Sequence, residues 1–134
     1  MIIDTSVLFA AVDASDPAHA AAGAIVSSPE PRLVPESVVV EADWLIADRF
    51  GVEVELRFLR ALDEGHVVVE PIQPEDRIRA TFLIDRYRDL RLGYVDATII
   101  ATAERLGERK IATLDRRHFS VVRPSHIETF ELLP

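Results

Sequence analysis

Four acidic side chains stand where the surrounding sequence is otherwise apolar or where an apolar segment ends. They are Asp4, Glu41, Asp96 and Asp115. Two carboxylates 4 Å apart repel by about 4 kcal/mol at an effective dielectric constant of 20, and a hard divalent cation with oxygen ligands relieves that repulsion. If the chain brings these acids together, the chemistry they suggest is metal-assisted hydrolysis of a phosphodiester.

Each acid also has a purely structural explanation. Asp4 could cap a helix that begins at Thr5, and Asp115 could serve as a cap or turn residue after a strand. Glu41 could lie at the boundary between the apolar and solvated faces of a helix. Asp96 is the most informative, because its helical neighbours are apolar and a buried carboxylate needs a partner. The positive potential at a helix N-terminus would stabilise the charge of this carboxylate only in part.

The elements that would position these acids alternate between short apolar strands and apolar-faced helices. Strands are predicted at Met1–Ile3, Arg32–Val34, Val67–Val69 and Ile111–Leu114, with a last one inside Glu128–Leu132. Helices are predicted at Thr5–Val12, Pro17–Val26, Pro35–Phe50, Val52–Leu62, Glu75–Tyr87 and Tyr94–Leu106. This alternation indicates an α/β fold with a mainly parallel sheet of four to five strands in one domain, residues 1–134. Ligands of such sheets bind beyond the carboxyl ends of the strands, where Asp4 and Asp115 would project.

Composition limits the remaining classes of function. The 134 residues include 15 Lys and Arg against 23 Asp and Glu, a net charge of −8, and no cysteine. The acidic balance argues against a basic nucleic-acid clamp, although not against a nuclease whose acids hold a metal. The absence of cysteine excludes disulfides and thiolate chemistry. No apolar segment reaches the length of a membrane span and no basic leader precedes Asp4, so we expect no membrane contact and a cytoplasmic location.

Several apolar side chains have predicted places as well. On the predicted helix Glu75–Tyr87, the residues Ile78, Phe82 and either Ile84 or Tyr87 should face the core. Phe119 and Trp44 should be buried. The segments Ala18–Val26 and Val52–Leu62 carry more apolar residues than one buried face requires. They predict either a thick helical layer or a surface that accepts an amphipathic helix of a partner.

Four sequence motifs occur in a characteristic order along nearly the whole chain. They are Ile2-Ile-Asp-Thr-Ser6, Val38-Val-Val-Glu-Ala42, Leu92-Gly-Tyr-Val-Asp-Ala-Thr98 with Ala103-Glu-Arg-Leu-Gly107, and Ile111-Ala-Thr-Leu-Asp-Arg-Arg-His-Phe119. In this order and spacing the chain resembles the PIN-domain ribonucleases, specifically the VapC toxins of bacterial type II toxin–antitoxin pairs.

The resemblance implies a three-layer α/β/α PIN-like fold and a Mg²⁺ site, with Mn²⁺ as a substitute. The implied ligands are Asp4, Asp96 and Asp115, with Glu41 binding directly or through a water, and all four acids are implied to be catalytic. Thr5, Ser6 and Thr113 would lie close behind them. Some relatives carry a further acid where this chain has Arg117, which predicts one well-occupied ion in the free protein.

The resemblance also implies a reaction and partners. The expected activity is cleavage of specific structured RNA, tRNA or rRNA, which leaves 5′-phosphate and 3′-hydroxyl ends. The expected partners are a cognate VapB-type antitoxin that neutralises the enzyme and a second copy in a homodimer. Arg116, Arg117 and His118 follow the last acid directly and are candidate RNA contacts, although each could instead pair with a surface acid.

Other functions fit the sequence less well. A non-catalytic PIN-like module that binds RNA or protein is the main alternative, although retention of all four acids argues against it. A haloacid-dehalogenase-like phosphatase would need an acid at Ser6, and a receiver domain would need Lys110 after its strand rather than before it. The chain has neither phosphate-binding glycine motif of the nucleotide-binding folds.

Overall fold

In the computed structural model, which describes residues 1–134, five short strands form one parallel sheet. They are β1 (Ile2–Ile3), β2 (Leu33–Pro35), β3 (Val68–Glu70), β4 (Lys110–Ala112) and β5 (Glu131–Leu133). Their order in the sheet is β3-β2-β1-β4-β5. The chain builds the sheet outward from β1 to β3 and then continues on the other side of β1, so the order reverses between β1 and β4. In open parallel sheets this reversal is where ligands bind.

Six helices connect and flank the strands. They are α1 (Thr5–Val12), α2 (His19–Val26), α3 (Glu36–Phe50), α4 (Val52–Asp63), α5 (Pro74–Arg86) and α6 (Tyr94–Leu106), with a short 3₁₀ turn at Arg88–Leu90. The predicted parallel α/β fold is therefore confirmed, and every predicted helix is present to within two residues at each end. None of these helices combines the length and the apolar character that crossing a membrane requires.

The centre of the sheet explains why the first strand contains consecutive isoleucines. Ile2 and Ile3 point to opposite faces and both are fully buried, because helices cover both faces of a parallel sheet. Ile111 of β4 pairs with Ile2 and is also fully buried, as are Ile99 and Ile100 of α6. The core therefore lies around β1 and β4 and holds their carboxyl ends in fixed positions.

Two glycines with positive φ end the helices that carry site residues. Gly51 (φ 80°) separates α3 from α4 and donates its N–H to the carbonyl of Ala47 at 2.9 Å. Gly107 (φ 68°) ends α6 in the left-handed conformation. A side chain at either position would be strained, so these glycines set the length of both helices.

The predicted burial of three apolar side chains is wrong. Ile78 and Phe82 are 73% and 56% exposed. The buried face of α5 instead carries Ala80, Leu83 and the acid Asp76, which the hydrophobic pattern could not select. Trp44 is 66% exposed, because α3 buries the face that carries Val38, Ala42 and Ile46. The prediction for Phe119 is confirmed, since it is 2% exposed.

The strand before Asp115 ends earlier than predicted. The predicted strand Ile111–Leu114 is observed as Lys110–Ala112, and Leu114 is exposed. The hydroxyl of Thr113 accepts the backbone N–H of Asp115 at 3.0 Å, a local bond that diverts the chain from the sheet. Asp115 therefore lies in a loop three residues beyond β4 rather than directly at its end.

Candidate active site

The four acids singled out in the sequence line one open pocket of about 280 Å³ at the reversal point of the sheet. Its lining residues are Asp4, Thr5, Ser6, Phe9, Glu41, Leu45, Asp96 and Asp115. The pocket therefore joins side chains from the end of β1, the helices α1, α3 and α6, and the loop after β4. No lysine or arginine is among the lining residues.

Asp4 occupies the centre of this arrangement and is 6% exposed. Its carboxylate accepts the backbone N–H of Thr5 and the hydroxyl of Ser6, both at 2.7 Å, and the hydroxyl of Thr113 at 2.8 Å. Asp4 is thus the N-cap of α1, which confirms its structural explanation, and it also forms a wall of the pocket. Three donors from two segments hold the carboxylate in one orientation.

Thr5 and Glu41 connect the first helix to the third. The hydroxyl of Thr5 donates to a carboxylate oxygen of Glu41 at 2.6 Å. Glu41 lies in the second turn of α3 and is exposed, so it forms part of the pocket rim rather than its floor. The bond to Thr5 aims this flexible side chain toward the pocket.

Ser6 and Thr113 link the ends of β1 and β4. The hydroxyl of Ser6 donates to Asp4 and accepts the backbone N–H of Leu114 at 3.0 Å. Thr113 is fully buried and lies between Asp4 and the backbone of Asp115. These two hydroxyls therefore fix the orientation of the Asp4 carboxylate and the course of the backbone at Asp115.

Asp96 lies in the first turn of α6 and is partly buried. Burial raises the pKa of its carboxyl group, and the negative charges of Asp4 and Glu41 raise it further, whereas a hydrogen bond from His118 Nδ1 acts in the opposite direction. The charged form of Asp96 is therefore disfavoured as the side chains stand. A cation in the pocket would reverse that penalty.

Asp115 is held differently, at the mouth of the pocket. Its carboxylate accepts Arg117 Nε at 2.9 and 3.0 Å and the backbone N–H of Arg117 at 3.1 Å. The hydrogen bonds from Arg117 lower the pKa of Asp115 to about 2. Asp115 is thus charged at any physiological pH and already has a cationic partner.

The three candidate RNA contacts have different positions. Arg117 and His118 reach Asp115 and Asp96, whereas Arg116 points to backbone carbonyls at the end of the chain, those of Leu132 and Pro134. From the sequence, each of the three residues could have paired with an acid, but the sequence could not show which of them does. An i, i+2 pair in a loop has no periodic signal that distinguishes it from two solvated charges.

The donor set fits a hard divalent cation, although the carboxylates do not yet converge. As the side chains stand, no three acidic or histidine side chains lie together closely enough to hold a metal ion. Asp115 is instead turned to Arg117 and Asp96 to His118. Four carboxylates line the pocket, and none of the lining side chains is cationic. Carboxylate oxygens are the ligands that Mg²⁺ and Mn²⁺ prefer.

Comparison with known proteins gives a consistent family. A model of the PIN domain matches residues 1–123. Ribonuclease VapC26 of Mycobacterium tuberculosis (strain ATCC 25618 / H37Rv) is 41% identical over 135 aligned residues, which cover all of both chains. The identity therefore extends beyond the site to the whole domain.

Two solved structures share the fold. The crystal structure of VapC20 of Mycobacterium tuberculosis, described as a sarcin–ricin loop cleaving toxin, superposes with a TM-score of 0.83 at 23% identity over 95% of this chain and 98% of that one. FitAcB from Neisseria gonorrhoeae superposes with a TM-score of 0.63 at 15% identity over 86% and 87%. With the parallel sheet, the four-acid pocket and full-length identity to a VapC ribonuclease, the chain belongs to the PIN-domain family and is a VapC-type ribonuclease.

Proposed function

We propose that this protein is the toxin of a toxin–antitoxin pair, an endoribonuclease that depends on Mg²⁺ and cuts specific structured RNA. The observation that carries the proposal is the meeting of Asp4, Glu41, Asp96 and Asp115 in one pocket, from four separate segments of the chain. Helix capping by Asp4 accounts for one of these acids but not for the gathering of four carboxylates, which repel one another, at the reversal point of a parallel sheet. Positive charge bound among them removes that conflict.

Asp4, Asp96 and Asp115 would hold the ion, with Glu41 binding directly or through a water. When bound, Mg²⁺ supplies Lewis-acid stabilisation of charge on a phosphodiester and makes a water more acidic. Thr5 keeps Glu41 aimed at the pocket, where its carboxylate can orient that water and take up its proton. Thr113 and Ser6 keep Asp4 in one orientation, so this carboxylate would need no reorganisation to hold an ion.

Hydrolysis by an activated water predicts the chemistry of the product ends. In-line attack by water on phosphorus breaks the bond to the 3′ oxygen, which leaves a 5′-phosphate and a 3′-hydroxyl. The RNA 2′-hydroxyl takes no part as nucleophile. The carboxylates that line the pocket are suited to take up the proton of the attacking water.

The activity is tested on total bacterial RNA with Mg²⁺, with EDTA, and with the variants Asp4→Asn and Asp96→Asn. Cleavage is expected only for the unmodified protein with Mg²⁺ or Mn²⁺, and mapping of the cut ends should show 5′-phosphates. A ribosomal RNA fragment that contains the sarcin–ricin loop is the first defined substrate to test, alongside tRNA. Equal cleavage in all four conditions, or 2′,3′-cyclic phosphate ends, would contradict the mechanism.

An apolar groove between α1, α2 and α4 supports an antitoxin partner. It measures about 310 Å³, and nine of its 11 lining residues are hydrophobic. Val26 and Val54, Phe58 and Leu62 from the two predicted partner segments line it, with Arg57 at its edge. We propose that an amphipathic helix of a VapB-type antitoxin binds here, with apolar side chains in the groove and an acid facing Arg57.

The antitoxin site is tested with two matched substitutions on the same helix. Val54→Asp places a charge in the groove, whereas Val52→Asp places the same charge on an exposed position that does not line it. Val54→Asp should abolish neutralisation by the antitoxin and keep RNA cleavage, and Val52→Asp should keep both. If the antitoxin still neutralises both variants, this groove is not its binding site.

An exposed apolar face on α3 and α6 supports a homodimer. Val40, Trp44 and Tyr94 are 67%, 66% and 48% exposed and line a shallow cleft beside Glu41. We propose that a second copy covers this face. Light scattering should give twice the chain mass of 15.0 kDa, and Trp44→Arg, but not Ile78→Arg on α5, should halve it.

A non-catalytic binding module remains the alternative function. It would share the fold and bind RNA or protein without cutting either. The pairing of Asp115 with Arg117 and of Asp96 with His118 is the feature that favours it, because both acids then have a side-chain partner without a metal. RNA binding without cleavage in the presence of Mg²⁺ and Mn²⁺ would support it.

A further inference from the structure

One exposed guanidinium covers both oxygens of an acid that would also hold the metal. Arg117 contacts Asp115 through its Nε, its terminal nitrogen and its backbone N–H, and these bonds engage both Oδ1 and Oδ2. The Arg117 side chain is 79% exposed, and that of Asp115 is 43% exposed. The pair is therefore accessible to solvent, and the arginine can leave Asp115 without disturbing the core.

The neighbouring arginine shows that this contact is specific. Arg116 carries the same charge one residue earlier, yet its guanidinium bonds to the carbonyls of Leu132 and Pro134. It contacts no acid of the pocket. Long-range attraction to the carboxylates acts on both arginines, whereas the direct ion pair belongs to Arg117 alone.

We propose that Arg117 is an exchangeable counter-ion of the acidic site. Without a divalent cation it pairs with Asp115, and when a cation binds there, it is displaced. Its released guanidinium then lies at the pocket mouth, where it can bind an RNA phosphate by two parallel hydrogen bonds. This inference rests on the proposed function in one respect, namely that Asp115 is a metal ligand.

The exchange couples metal binding to phosphate binding. A cation bound alone must compete with Arg117 for Asp115, so Arg117 weakens metal binding to the free protein. Once the arginine has a phosphate to bind, that competition ends, and each ligand strengthens the binding of the other by the same factor. The arginine thereby favours a loaded metal site when RNA is present.

The competition is tested by calorimetric titration of Mn²⁺ into the unmodified protein, Arg117→Gln and Arg116→Gln. Arg117→Gln should bind Mn²⁺ about two- to fivefold more tightly, the range expected for an exposed ion pair. Arg116→Gln is the matched control, because it loses the same charge from the next position, and it should bind like the unmodified protein. Equal tightening in both variants would mean a general charge effect and would overturn the exchange.

The released guanidinium is tested by the binding of adenosine 5′-monophosphate, which carries the same phosphate group as the expected product end. Mg²⁺ should increase the affinity of the unmodified protein and of Arg116→Gln for this probe. In Arg117→Gln the increase in affinity should be smaller by a factor of about three or more, since one bidentate phosphate contact is missing. An increase of the same size in all three proteins would contradict the proposal.

A magnetic resonance readout separates this inference from the proposed function. The Arg117 side-chain Nε–Hε signal should shift as Mg²⁺ is added and reach its end point together with metal binding. If Mn²⁺ binds the unmodified protein while this signal and the Arg117→Gln affinity stay unchanged, the exchange is wrong and the metal site stands. If neither the unmodified protein nor Arg117→Gln binds Mn²⁺, the proposed metal site fails and the exchange fails with it.

Discussion

At the scale of single residues, the site depends on hydroxyl groups that hold carboxylates in place. Thr113 donates to Asp4 at 2.8 Å and accepts the backbone N–H of Asp115 at 3.0 Å. One buried hydroxyl therefore connects the two segments that carry these acids. Replacing it with an apolar group of the same shape would leave a buried carboxylate and a backbone N–H each short of a partner.

We therefore expect Thr113→Val to lower both stability and activity. The free energy of unfolding should fall by about 1–3 kcal/mol, the cost of partners left unsatisfied. RNA cleavage should fall by about 10- to 100-fold, the usual loss when a residue that orients a metal ligand is removed, if Asp4 and Asp115 hold the proposed ion. Denaturant unfolding and initial cleavage rates measure the two effects. Thr113→Ser retains the hydroxyl and should retain most of the activity, so a Ser variant as inactive as Val would refute this role.

Asp96 gives a prediction about pH. Burial is the main reason that its pKa in the folded protein lies above the usual value of 3.8. A carboxyl group whose pKa is raised by folding binds more protons in the folded state, so it reduces stability as pH rises from about 4 upward. Without metal, Asp96→Asn should thus raise the melting temperature at pH 7, and the gain should disappear below pH of about 4.

The control for that prediction is Asp89→Asn, which changes an exposed acid outside the pocket. It should leave the melting temperature nearly unchanged across the same pH range. Added Mg²⁺ should reverse the order and make the unmodified protein the more stable, because the ion stabilises the charged carboxylate. A melting temperature for Asp96→Asn that is lower at pH 7 in EDTA would contradict the assigned cause of the pKa shift.

The sequence was informative about these residues to different degrees. Asp4 and Asp96 could be predicted because a carboxylate in an apolar stretch is costly and needs a reason. The contacts of Arg117 and His118 could not be selected, since a charged loop residue leaves no periodic pattern. Trp44 was misplaced because an aromatic residue in an apolar stretch is usually buried, and only packing shows that α3 turns this residue outward.

At the scale of elements, an ion network fixes α6 against α5 and β3. Arg105 of α6 donates through Nε to Asp76 at 2.9 and 3.1 Å and through a terminal nitrogen to Glu70 at 2.9 Å. Asp76 is 1% exposed and also caps α5 through the backbone N–H of Gln73. Because α6 carries Asp96 at its other end, the network holds in place the helix of a proposed metal ligand.

Arg105→Met should therefore destabilise the protein strongly. It removes the partner of a buried charge, and the expected loss is about 3 kcal/mol in the free energy of unfolding. Arg88→Met provides the matched control, since Arg88 and Asp85 form an exposed pair and their separation should change stability little. Chemical denaturation of both variants measures the difference. Equal losses in the two variants would rule out the proposed role of the buried network.

The positions of the helices and strands along the chain were largely predictable, whereas the face that each helix buries was less predictable. Continuous apolar runs marked β1 and α6, and Gly51 and Gly107 marked helix ends by their known backbone preference. The buried face of α5 was missed because it contains Asp76, an acid that only the distant Arg105 can satisfy. Such long-range partners are invisible to local patterns.

At the scale of the whole molecule, the sheet order decides where the chemistry lies. The alternation of strands and helices predicted a parallel sheet, yet not the order β3-β2-β1-β4-β5 that places β1 beside β4. Because β1 and β4 are adjacent, Asp4 lies within hydrogen-bonding distance of Thr113 and therefore near Asp115. The resemblance to a known family implied that the four acids form one site, whereas the order of the strands could not be predicted from the sequence.

The net charge of −8 predicts that RNA is held locally rather than by general attraction. An RNA oligonucleotide without a cut site should bind no tighter than about 0.1 mM at physiological salt, the weak end of non-specific binding. Fluorescence anisotropy with the variant Asp4→Asn, in the presence of Mg²⁺, measures this affinity without cleavage. Micromolar binding to arbitrary RNA would show a basic surface that the fold does not present.

The central claim is that Asp4, Asp96 and Asp115 hold one divalent cation in the pocket that Glu41 borders. Crystals soaked in Mn²⁺ and measured at its absorption edge test it most directly, since the anomalous signal locates the ion without assumptions about activity. We predict one strong peak between these carboxylates, with Arg117 displaced from Asp115. No peak in the pocket of a protein that still cleaves RNA would contradict the claim.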